Sequence, residues 1–385
     1  MKINLHAPIL KGNELKYISK CIKTTWLSSA GNYVKEFEKK IITFTGSKNA
    51  VSCINGTAAL QVSLRLLGLK ANHEVIVPTI TFIAPVNAIR YFSARPIFMD
   101  VDKHGNIDPK KTIEFIQEKT FYKNGKTYNK KTKKIISILI AVHVFGNPAD
   151  LDNLVKVCKK RNIKILEDAS ESLGSFYSKG KFKGKHTGTI GDLGCISFNI
   201  NKIITSGGGG IILCKNKKKS EKIRYLVNQA KNDNINFIHD EVGYNYGLSN
   251  INAAIGCAQI ENIKKILILK KNLNSIYKKE FSNKTTYSIL KQPIYSISNY
   301  WINIVDLKTL NKKKNFLKIL LKNNIEARPV WKCNHLQKPY IDCETYKIDE
   351  ALKIENNYLC LPSSYFLKKN QINRILQYFK KSNYL

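Results

Sequence analysis

A single lysine, Lys202, lies between polar side chains and a run of four glycines, Gly207–Gly210. Upstream, the mainly apolar run 163–166 ends at two adjacent carboxylates, Glu167 and Asp168. A lysine amine can form a Schiff base with an aldehyde, and a carboxylate at the end of a buried strand can keep a pyridine nitrogen protonated. Together these groups are what pyridoxal phosphate chemistry requires. The pattern therefore predicts this cofactor, with Lys202 as the catalytic residue.

A second candidate site is the segment 55–60, in which Gly56 and Thr57 follow a predicted strand and open a predicted helix. Free N–H groups at a helix N-terminus, together with a threonine hydroxyl, form an anion site that suits a phosphate. The same pattern is also typical of an ordinary helix cap, so the motif alone leaves both interpretations open. Ser197 offers another hydroxyl to the same phosphate, or forms a local hydrogen bond within its strand.

Two further side chains have an alternative structural interpretation. Phe82 follows a predicted strand and can stack on a flat cofactor ring, although an aromatic residue at a helix start more often belongs to the core. Glu167, Asp168 and Glu171 together are also typical of a helix N-terminus decorated with acids. The buried-strand context of Asp168 favours a functional carboxylate, because a buried charge needs a cationic partner.

From about residue 49 to 215, short apolar runs alternate with helical patterns. This alternation predicts an α/β fold with a mostly parallel sheet covered by helices on both faces. Ligands of such sheets bind at the carboxyl ends of the strands, where Asp168 and the segment 55–57 lie. The predicted strands are 50–54, 75–77, 96–99, 135–142, 163–166, 195–198 and 210–214, and the predicted helices are 57–67, 82–92, 109–118 and 151–161.

The remaining segments predict a second, smaller domain. A long helical pattern covers residues 249–281, and mixed strands and helices follow it, which indicates an α+β unit. We therefore predict a large cofactor-binding domain over 1–250 and a small C-terminal domain over 251–385. The basic, polar segment 123–134 predicts an exposed loop.

The chain of 385 residues carries a formal net charge of +36, which by itself suggests a nucleic-acid or membrane-surface binder. The lysines, however, occur in short runs throughout and form no single basic stripe, so solvated faces and a biased codon usage explain them better. We expect no nucleic-acid and no membrane partner. The positive surface would instead steer anionic substrates inward.

No signal-peptide pattern and no apolar run long enough for a membrane span occurs in the sequence. The nine cysteines are scattered without a C-x-x-C pair, which is typical of reduced thiols and predicts no metal site. These patterns favour a cytoplasmic location.

These motifs follow one another along nearly the whole chain, which resembles the DegT/DnrJ/EryC1/StrS family of pyridoxal-phosphate-dependent nucleotide-sugar aminotransferases. The segments 201–210 and 239–246 resemble the subgroup that acts on UDP-linked 4-keto-6-deoxy sugars, which includes legionaminic-acid-type enzymes. The motifs that carry the resemblance are 26–28 with Gly31, 37–38, 56–60, 74–78, 81–82, 98–102, 143–146, 167–168, 197–198, Lys202, 243–246, 328–329, 335–337 and 361–363.

The resemblance implies the aspartate-aminotransferase fold (fold type I) and a role for each site residue. Lys202 would hold the cofactor and shuttle protons, Asp168 would pair with the pyridinium nitrogen, and Glu171 would lie near the ring hydroxyl. Phe82 would stack on the ring. The phosphate would be held by Gly56, Thr57, the Ala58 amide, Ser197, and Asn245 of a neighbouring subunit, so that active sites are shared in a homodimer. Arg328 and His335 would lie near the nucleotide sugar.

The implied reaction moves the amino group of L-glutamate to the C4 ketone of a UDP-linked 4-keto-6-deoxy hexose, one with a 2-acetamido group. GDP-4-keto-6-deoxymannose (a perosamine-type substrate) and a C3-specific reaction are the alternatives within the family. A related sugar dehydrase would have histidine in place of Lys202. A non-enzymatic regulatory or nucleic-acid-binding protein of the same fold would tolerate a degraded site. Ile200, Gly247 and 333–334 depart from the subgroup pattern, which weakens the assignment of the sugar.

Overall fold

A central eight-stranded sheet carries most of the predicted site residues in the computed structural model, which describes residues 2–233, 235–282 and 287–381. Its strand order is β1-β10-β9-β7-β6-β2-β3-β15. The six strands from β9 to β15 are parallel to one another, whereas β1 and β10 are antiparallel to their neighbours. The mostly parallel sheet predicted from the sequence is confirmed.

The strands are β1 (Asn49–Cys53), β2 (Glu74–Pro78), β3 (Arg95–Met99), β4 (Thr120–Lys123), β5 (Lys126–Asn129), β6 (Ile136–Val142), β7 (Lys164–Asp168), β8 (Phe176–Tyr177), β9 (Leu193–Ser197), β10 (Gly210–Cys214), β11 (Ser288–Ile289), β12 (Ser296–Ile297), β13 (Asn303–Asp306), β14 (Arg328–Pro329), β15 (Glu344–Tyr346) and β16 (Tyr358–Leu361). The α-helices are α1 (Glu14–Lys23), α2 (Asn32–Thr45), α3 (Gly56–Leu66), α4 (Ala84–Arg90), α5 (Pro109–Glu118), α6 (Asp152–Lys160), α7 (Lys217–Val227), α8 (Asn250–Glu261), α9 (Ile263–Phe281), α10 (Leu310–Lys322), α11 (Glu350–Asn357) and α12 (Lys369–Lys381).

The sheet is covered on both faces because successive side chains of a strand point in opposite directions. In β2, Val75 and Val77 belong to one buried cluster, and Ile76 belongs to another. The first cluster includes side chains of α3, α4 and α8, and the second includes those of α5 and α6. Burial on both faces explains why these strands are continuous apolar runs in the sequence.

The C-terminal part forms a second, four-stranded sheet in the order β11-β13-β16-β14. Helices α9, α10 and α12 pack with it around an aromatic cluster that includes Tyr287, Phe316 and Phe379. Segments cross between the two units, because Ile3 packs in this cluster whereas β15 joins the large sheet. The division of the chain at residue 250 stays a prediction.

The segment predicted as a loop over 123–134 contains part of a β-hairpin instead. Strands β4 and β5 pair in antiparallel fashion around Asn124 and Gly125, whose φ angles are +50° and +74°. An Asn-Gly pair with both φ angles positive is the preferred two-residue hairpin turn, and this signal is present in the sequence. Phe121 and Tyr128 stack across the hairpin with ring centroids 5.3 Å apart. The loop prediction is wrong for Lys123, which ends β4, and for residues 126–129 of β5.

The long helical pattern over 249–281 is two helices, α8 and α9, which meet at Asn262. The Asn262 side chain donates a hydrogen bond back to the Ala258 carbonyl, 3.4 Å away. Asparagine side chains compete in this way with the helix ladder, so Asn262 accounts for the interruption. Among the described residues, no helix is long and apolar enough to cross a membrane.

The carboxylate of Asp100, just after β3, holds the start of α11. It accepts hydrogen bonds from the backbone N–H groups of Asp349, Glu350 and Ala351, and it pairs with Lys111. We expect Asp100→Ala to lower the free energy of unfolding by about 2–4 kcal/mol, because three helix-start N–H groups lose their buried acceptor. Denaturant titration measures this change.

Asp349→Ala is the matched control for this prediction. The carboxylate of Asp349 contacts the same Lys111 amine, but it is 80% exposed whereas that of Asp100 is fully buried. We expect a loss below about 1 kcal/mol for the control, since exposed ion pairs contribute little. Equal losses in the two variants would contradict the capping role of Asp100.

Candidate active site

A cavity of about 540 Å³ opens at the carboxyl ends of three adjacent parallel strands. Val142, Asp168 and Ser197 are the last residues of β6, β7 and β9, and all three line the cavity. This is the edge at which sheets of this kind bind their ligands. Of the residues predicted from the sequence, the cavity brings together Gly56, Thr57, Phe82, Asp168, Glu171, Ser197, Lys202 and Arg328.

Lys202 lies in the loop after β9, where its side chain is 12% exposed. Its Nζ atom is 4.7 Å from the centroid of the Trp301 ring and 3.6 Å from Oε1 of Glu171. The indole N–H of Trp301 donates to the Asn201 carbonyl, which fixes the loop next to the lysine. The amine is therefore held at the cavity wall between an aromatic face and a carboxyl group.

Glu171 is buried beside Lys202, and its Oε2 atom accepts a hydrogen bond from the Phe145 backbone N–H. Burial raises the pKa of the Glu171 carboxyl to about 7, and the opposite charge of Lys202 acts in the other direction. A carboxyl group with this pKa can hold or release a proton near neutral pH. The Glu171 carboxyl group can therefore exchange a proton near neutral pH, and it lies next to the Lys202 amine.

The two adjacent carboxylates at the end of β7 point in opposite directions and differ in their partners. Asp168 faces the cavity, and its Oδ1 atom accepts a hydrogen bond from the Ser170 N–H at 3.0 Å. Glu167 is fully buried and accepts the backbone N–H groups of 188, 190 and 191 in addition to contacting His143. Glu167 therefore holds a loop, and Asp168 is the carboxylate available to a ligand.

Three hydroxyl groups surround the N-terminus of α3. Thr57 and Ser170 line the cavity there with Ser197, and a Cβ atom on Gly56 would lie 2.9 Å from Cβ of Ser197. Only a glycine leaves the backbone this close to the opposite strand end. Hydroxyl donors at a helix N-terminus suit a phosphate group. The Ala58 N–H, however, donates to Oδ1 of Asn55, so its predicted contact with a phosphate would require Asn55 to turn away.

The residues of the cavity fit pyridoxal phosphate. The Lys202 amine can hold its aldehyde, the Asp168 carboxylate can pair with its ring nitrogen, and the hydroxyl-rich helix start can take its phosphate. These individual roles stay predictions, and Phe82, which is 54% exposed, is available for stacking on the ring.

The predicted substrate residues, Arg328 and His335, and the predicted phosphate contact Asn245 lie in different places. Arg328, in β14, lines the cavity with a side chain that is 69% exposed and paired with Glu326. His335 does not line this cavity, and its Nδ1 atom lies 2.7 Å from the hydroxyl of Thr79. Asn245 does not line it either, and its side chain is exposed. The contact of His335 with the nucleotide sugar and the contact of Asn245 with the cofactor phosphate of a neighbouring subunit stay predictions.

The cavity wall includes residues that were not predicted as site residues, among them His6, Ser170 and Trp301. Ser170 stands within the acidic motif and could have been found from its position after Asp168. His6 and Trp301 lie far from every motif in the sequence, and only the packing of the small domain brings them to the site. No local sequence signal marks them.

The titration of Glu171 gives a pH-dependent prediction for the cofactor-free protein. The unfolded chain releases this proton near the usual pKa of 4.5, whereas the folded protein keeps it until about pH 7. The wild-type free energy of unfolding therefore falls as the pH rises from about 4.5 to about 7, because the folded state binds the extra proton in this range. As the pH rises through this range, we expect the free energy of unfolding of Glu171→Gln to increase by up to about 3 kcal/mol relative to that of wild type.

Denaturant titrations at several pH values measure this gain. Leu15→Ala, which changes an exposed side chain that does not titrate, is the control, and its difference from wild type should stay constant with pH. A pH-independent difference for Glu171→Gln would show that burial does not raise the pKa of this carboxyl group.

Comparisons with known proteins agree with this geometry. The model of the DegT/DnrJ/EryC1/StrS aminotransferase family matches residues 8–380. The chain is 35% identical over 338 residues to the GDP-perosamine synthase of Escherichia coli O157:H7, covering 88% of this chain and 87% of the relative. It is 31% identical over 289 residues to the UDP-4-amino-4,6-dideoxy-N-acetyl-beta-L-altrosamine transaminase of Campylobacter jejuni, covering 74% and 72%.

The fold is that of Helicobacter pylori PseC, an aminotransferase involved in the biosynthesis of pseudoaminic acid. The TM-score is 0.88, at 21% sequence identity and 99% coverage of both chains. This likeness confirms the predicted fold type I architecture. The chain belongs to the DegT/DnrJ/EryC1/StrS family and is a pyridoxal-phosphate-dependent sugar aminotransferase.

Proposed function

We propose that the enzyme transfers the amino group of L-glutamate to the C4 ketone of a UDP-linked 4-keto-6-deoxy hexose that carries a 2-acetamido group. The observation that carries the proposal is the contact of Lys202 and Glu171 in a cavity that ends at Asp168. The similarity to a Campylobacter jejuni UDP-sugar transaminase supports the substrate class.

The residues of the cavity have different roles in the proposed transamination. Pyridoxal phosphate, when bound, supplies an aldehyde for the incoming amine and a ring that accepts electrons. The Lys202 Nζ atom moves a proton to and from substrate carbon, since it is the amine at the cavity wall. Glu171, 3.6 Å away, buffers that proton, and Asp168 holds the proton of the ring nitrogen.

The charge of the chain suits a substrate with a diphosphate. The net charge of +36 attracts anions over a long range, and Arg328 places a largely exposed guanidinium group on the cavity wall. Arginine binds phosphate oxygens with paired N–H donors. The cavity of about 540 Å³ is within the size range of small-molecule sites.

A GDP-linked sugar is the second candidate. The 35% identity to the Escherichia coli GDP-perosamine synthase exceeds the 31% identity to the UDP-sugar transaminase of Campylobacter jejuni. This observation favours GDP-4-keto-6-deoxymannose as the alternative acceptor. Both candidates share amination at C4, and an assay with 3-keto sugars separates them from a C3-specific reaction.

A homodimer with shared active sites is part of the proposal. Ile54, Phe82 and Ile200 are 47%, 54% and 57% exposed, and they line the cavity or adjoin its lining residues in the sequence. Apolar side chains gathered around a site opening support a protein–protein contact there. The exposed side chain of Asn245 is free to reach the phosphate bound by a partner subunit.

The proposed function is tested by incubating the purified enzyme with L-glutamate and a panel of nucleotide sugars. The panel contains UDP- and GDP-linked 4-keto-6-deoxy sugars and a UDP-linked 3-keto sugar, and mass spectrometry detects the aminated product. We expect amination of the UDP-linked, 2-acetamido 4-keto sugar. Lys202→Ala should lose at least about a hundredfold in rate, because the proton-moving amine is removed.

Borohydride treatment followed by proteolysis provides the control for the lysine. The cofactor mass should appear on the peptide that contains Lys202 and should be missing from this peptide in Lys202→Ala. Amination of only the GDP-linked sugar would replace the proposed substrate by the second candidate. Absence of any aminated sugar would refute both.

The shared site is tested by mixing two defective subunits. Homodimers of Lys202→Ala and of Asn245→Ala should both be impaired, the second through weaker retention of the cofactor. In a mixed dimer one site carries both lesions, and the other combines an intact Lys202 with an intact partner Asn245. We therefore expect recovery to about one working site per purified heterodimer. Activity no higher than that of the mutant homodimers would show that Asn245 acts within its own subunit.

A further inference from the structure

His6 lines the active-site cavity, although it lies near the beginning of the chain. Both nitrogen atoms of its ring are shielded from solvent and lack a hydrogen-bond partner. No other buried polar side-chain atom in the described part of the chain is without a partner. Buried polar groups are nearly always paired, because an unpaired group costs free energy. An unpaired histidine in a cavity wall therefore points to a ligand that completes its hydrogen bonds.

The backbone around His6 is fixed by the small domain. The N–H of Leu5 donates to Glu326 at 3.0 Å, the Leu5 carbonyl accepts from the Ser363 N–H, and the N–H of Ala7 donates to Ser364 at 2.9 Å. Both neighbours of His6 are thus anchored through their main chain. The imidazole ring takes no part in this anchoring, so it is positioned by the fold and left available to the cavity.

The surroundings of His6 keep its ring neutral. Burial lowers the pKa of His6 well below its usual value, and the charges of Lys270 and Lys202 lower it further. Lys270 is itself buried and donates to the carbonyls of Trp301 and Ser363. A neutral imidazole offers one N–H donor and one lone-pair acceptor.

The N–H donor and the lone-pair acceptor of the His6 ring distinguish between L-glutamate and the nucleotide sugar, the two substrates of the proposed reaction. The carboxylates of glutamate only accept hydrogen bonds, and its amino group is the group that is transferred. Glutamate therefore satisfies at most the N–H of the ring. Hydroxyl and acetamido groups of a hexose both donate and accept, so they can satisfy both nitrogen atoms. A neutral histidine in the cavity wall is consequently suited to a sugar.

We propose that His6 is a specificity-determining residue that hydrogen-bonds hydroxyl or acetamido groups of the hexose during the sugar half-reaction. The inference rests on the proposed function, because it requires a sugar as the amino acceptor. It assigns to the N-terminal segment a direct part in recognising that sugar.

The experiment measures the two half-reactions separately through the absorbance of the bound cofactor. Wild type, His6→Phe, His6→Ala and His6→Gln are each reacted first with L-glutamate and then with the nucleotide sugar that the wild type aminates. His73→Phe is the matched control, since His73 is also partly buried but lies outside the cavity. Thermal unfolding of every variant monitors folding.

We expect His6→Phe and His6→Ala to lower kcat/KM of the sugar half-reaction by about tenfold or more, since a paired polar contact is lost. The glutamate half-reaction should stay within about twofold of wild type in both variants. His6→Gln keeps one donor and one acceptor, and it should recover most of the sugar half-reaction. His6→Ala provides the test if the larger phenylalanine prevents folding.

Equal losses in the two half-reactions would show that His6 only supports the structure, and they would overturn the inference. Unchanged sugar kinetics in His6→Ala would overturn it as well. A wild-type enzyme that reacts with glutamate but aminates none of the sugars would instead refute the proposed function, and the role of His6 would fall with it. The two failures are therefore distinguishable.

Discussion

The register between neighbouring parallel strands is the constraint on which the site depends. Val142 of β6 lies opposite Asp168 of β7, and Asp168 lies opposite Cys195 of β9. Side chains alternate between the two faces of a strand, so a shift of one residue would exchange Asp168 for Glu167 at the cavity. The hydrogen bonds that Glu167 accepts from three backbone N–H groups and its contact with His143 oppose such a shift. The structural carboxylate thereby positions the functional one.

The second requirement of the site is that groups from distant parts of the chain meet around Lys202. The lysine follows β9, its carboxyl partner Glu171 follows β7, and Trp301 precedes β13 of the small domain. Asn299 links these parts, because its side chain donates to the carbonyls of Glu171 and Leu173. The environment of the amine consequently depends on the packing of the segment 299–301 as much as on the central sheet.

Part of this arrangement could be predicted from the sequence. Buried parallel strands are continuous apolar runs, so the strand ends are visible, and with them the positions of Asp168 and Ser197. Lys202 and the glycine run could be recognised because few kinds of site contain these residue types in this order. The hairpin around Asn124 was missed because the lysine-rich composition hid a turn signal. His6 and Trp301 could not be found, since contacts across hundreds of residues leave no local pattern.

The composition of the cavity wall also determines when, during synthesis of the enzyme, the cofactor pocket is complete. It includes Leu5 and His6 together with Cys360 of β16, which follows much later in the chain. β16 is an inner strand of the four-stranded sheet, where it lies between β13 and β14 and pairs with both. A growing polypeptide exposes the lysine long before β16 has left the ribosome. Capture of the cofactor in its finished pocket therefore waits for the synthesis of β16, and until then this part of the wall does not cover the Lys202 amine.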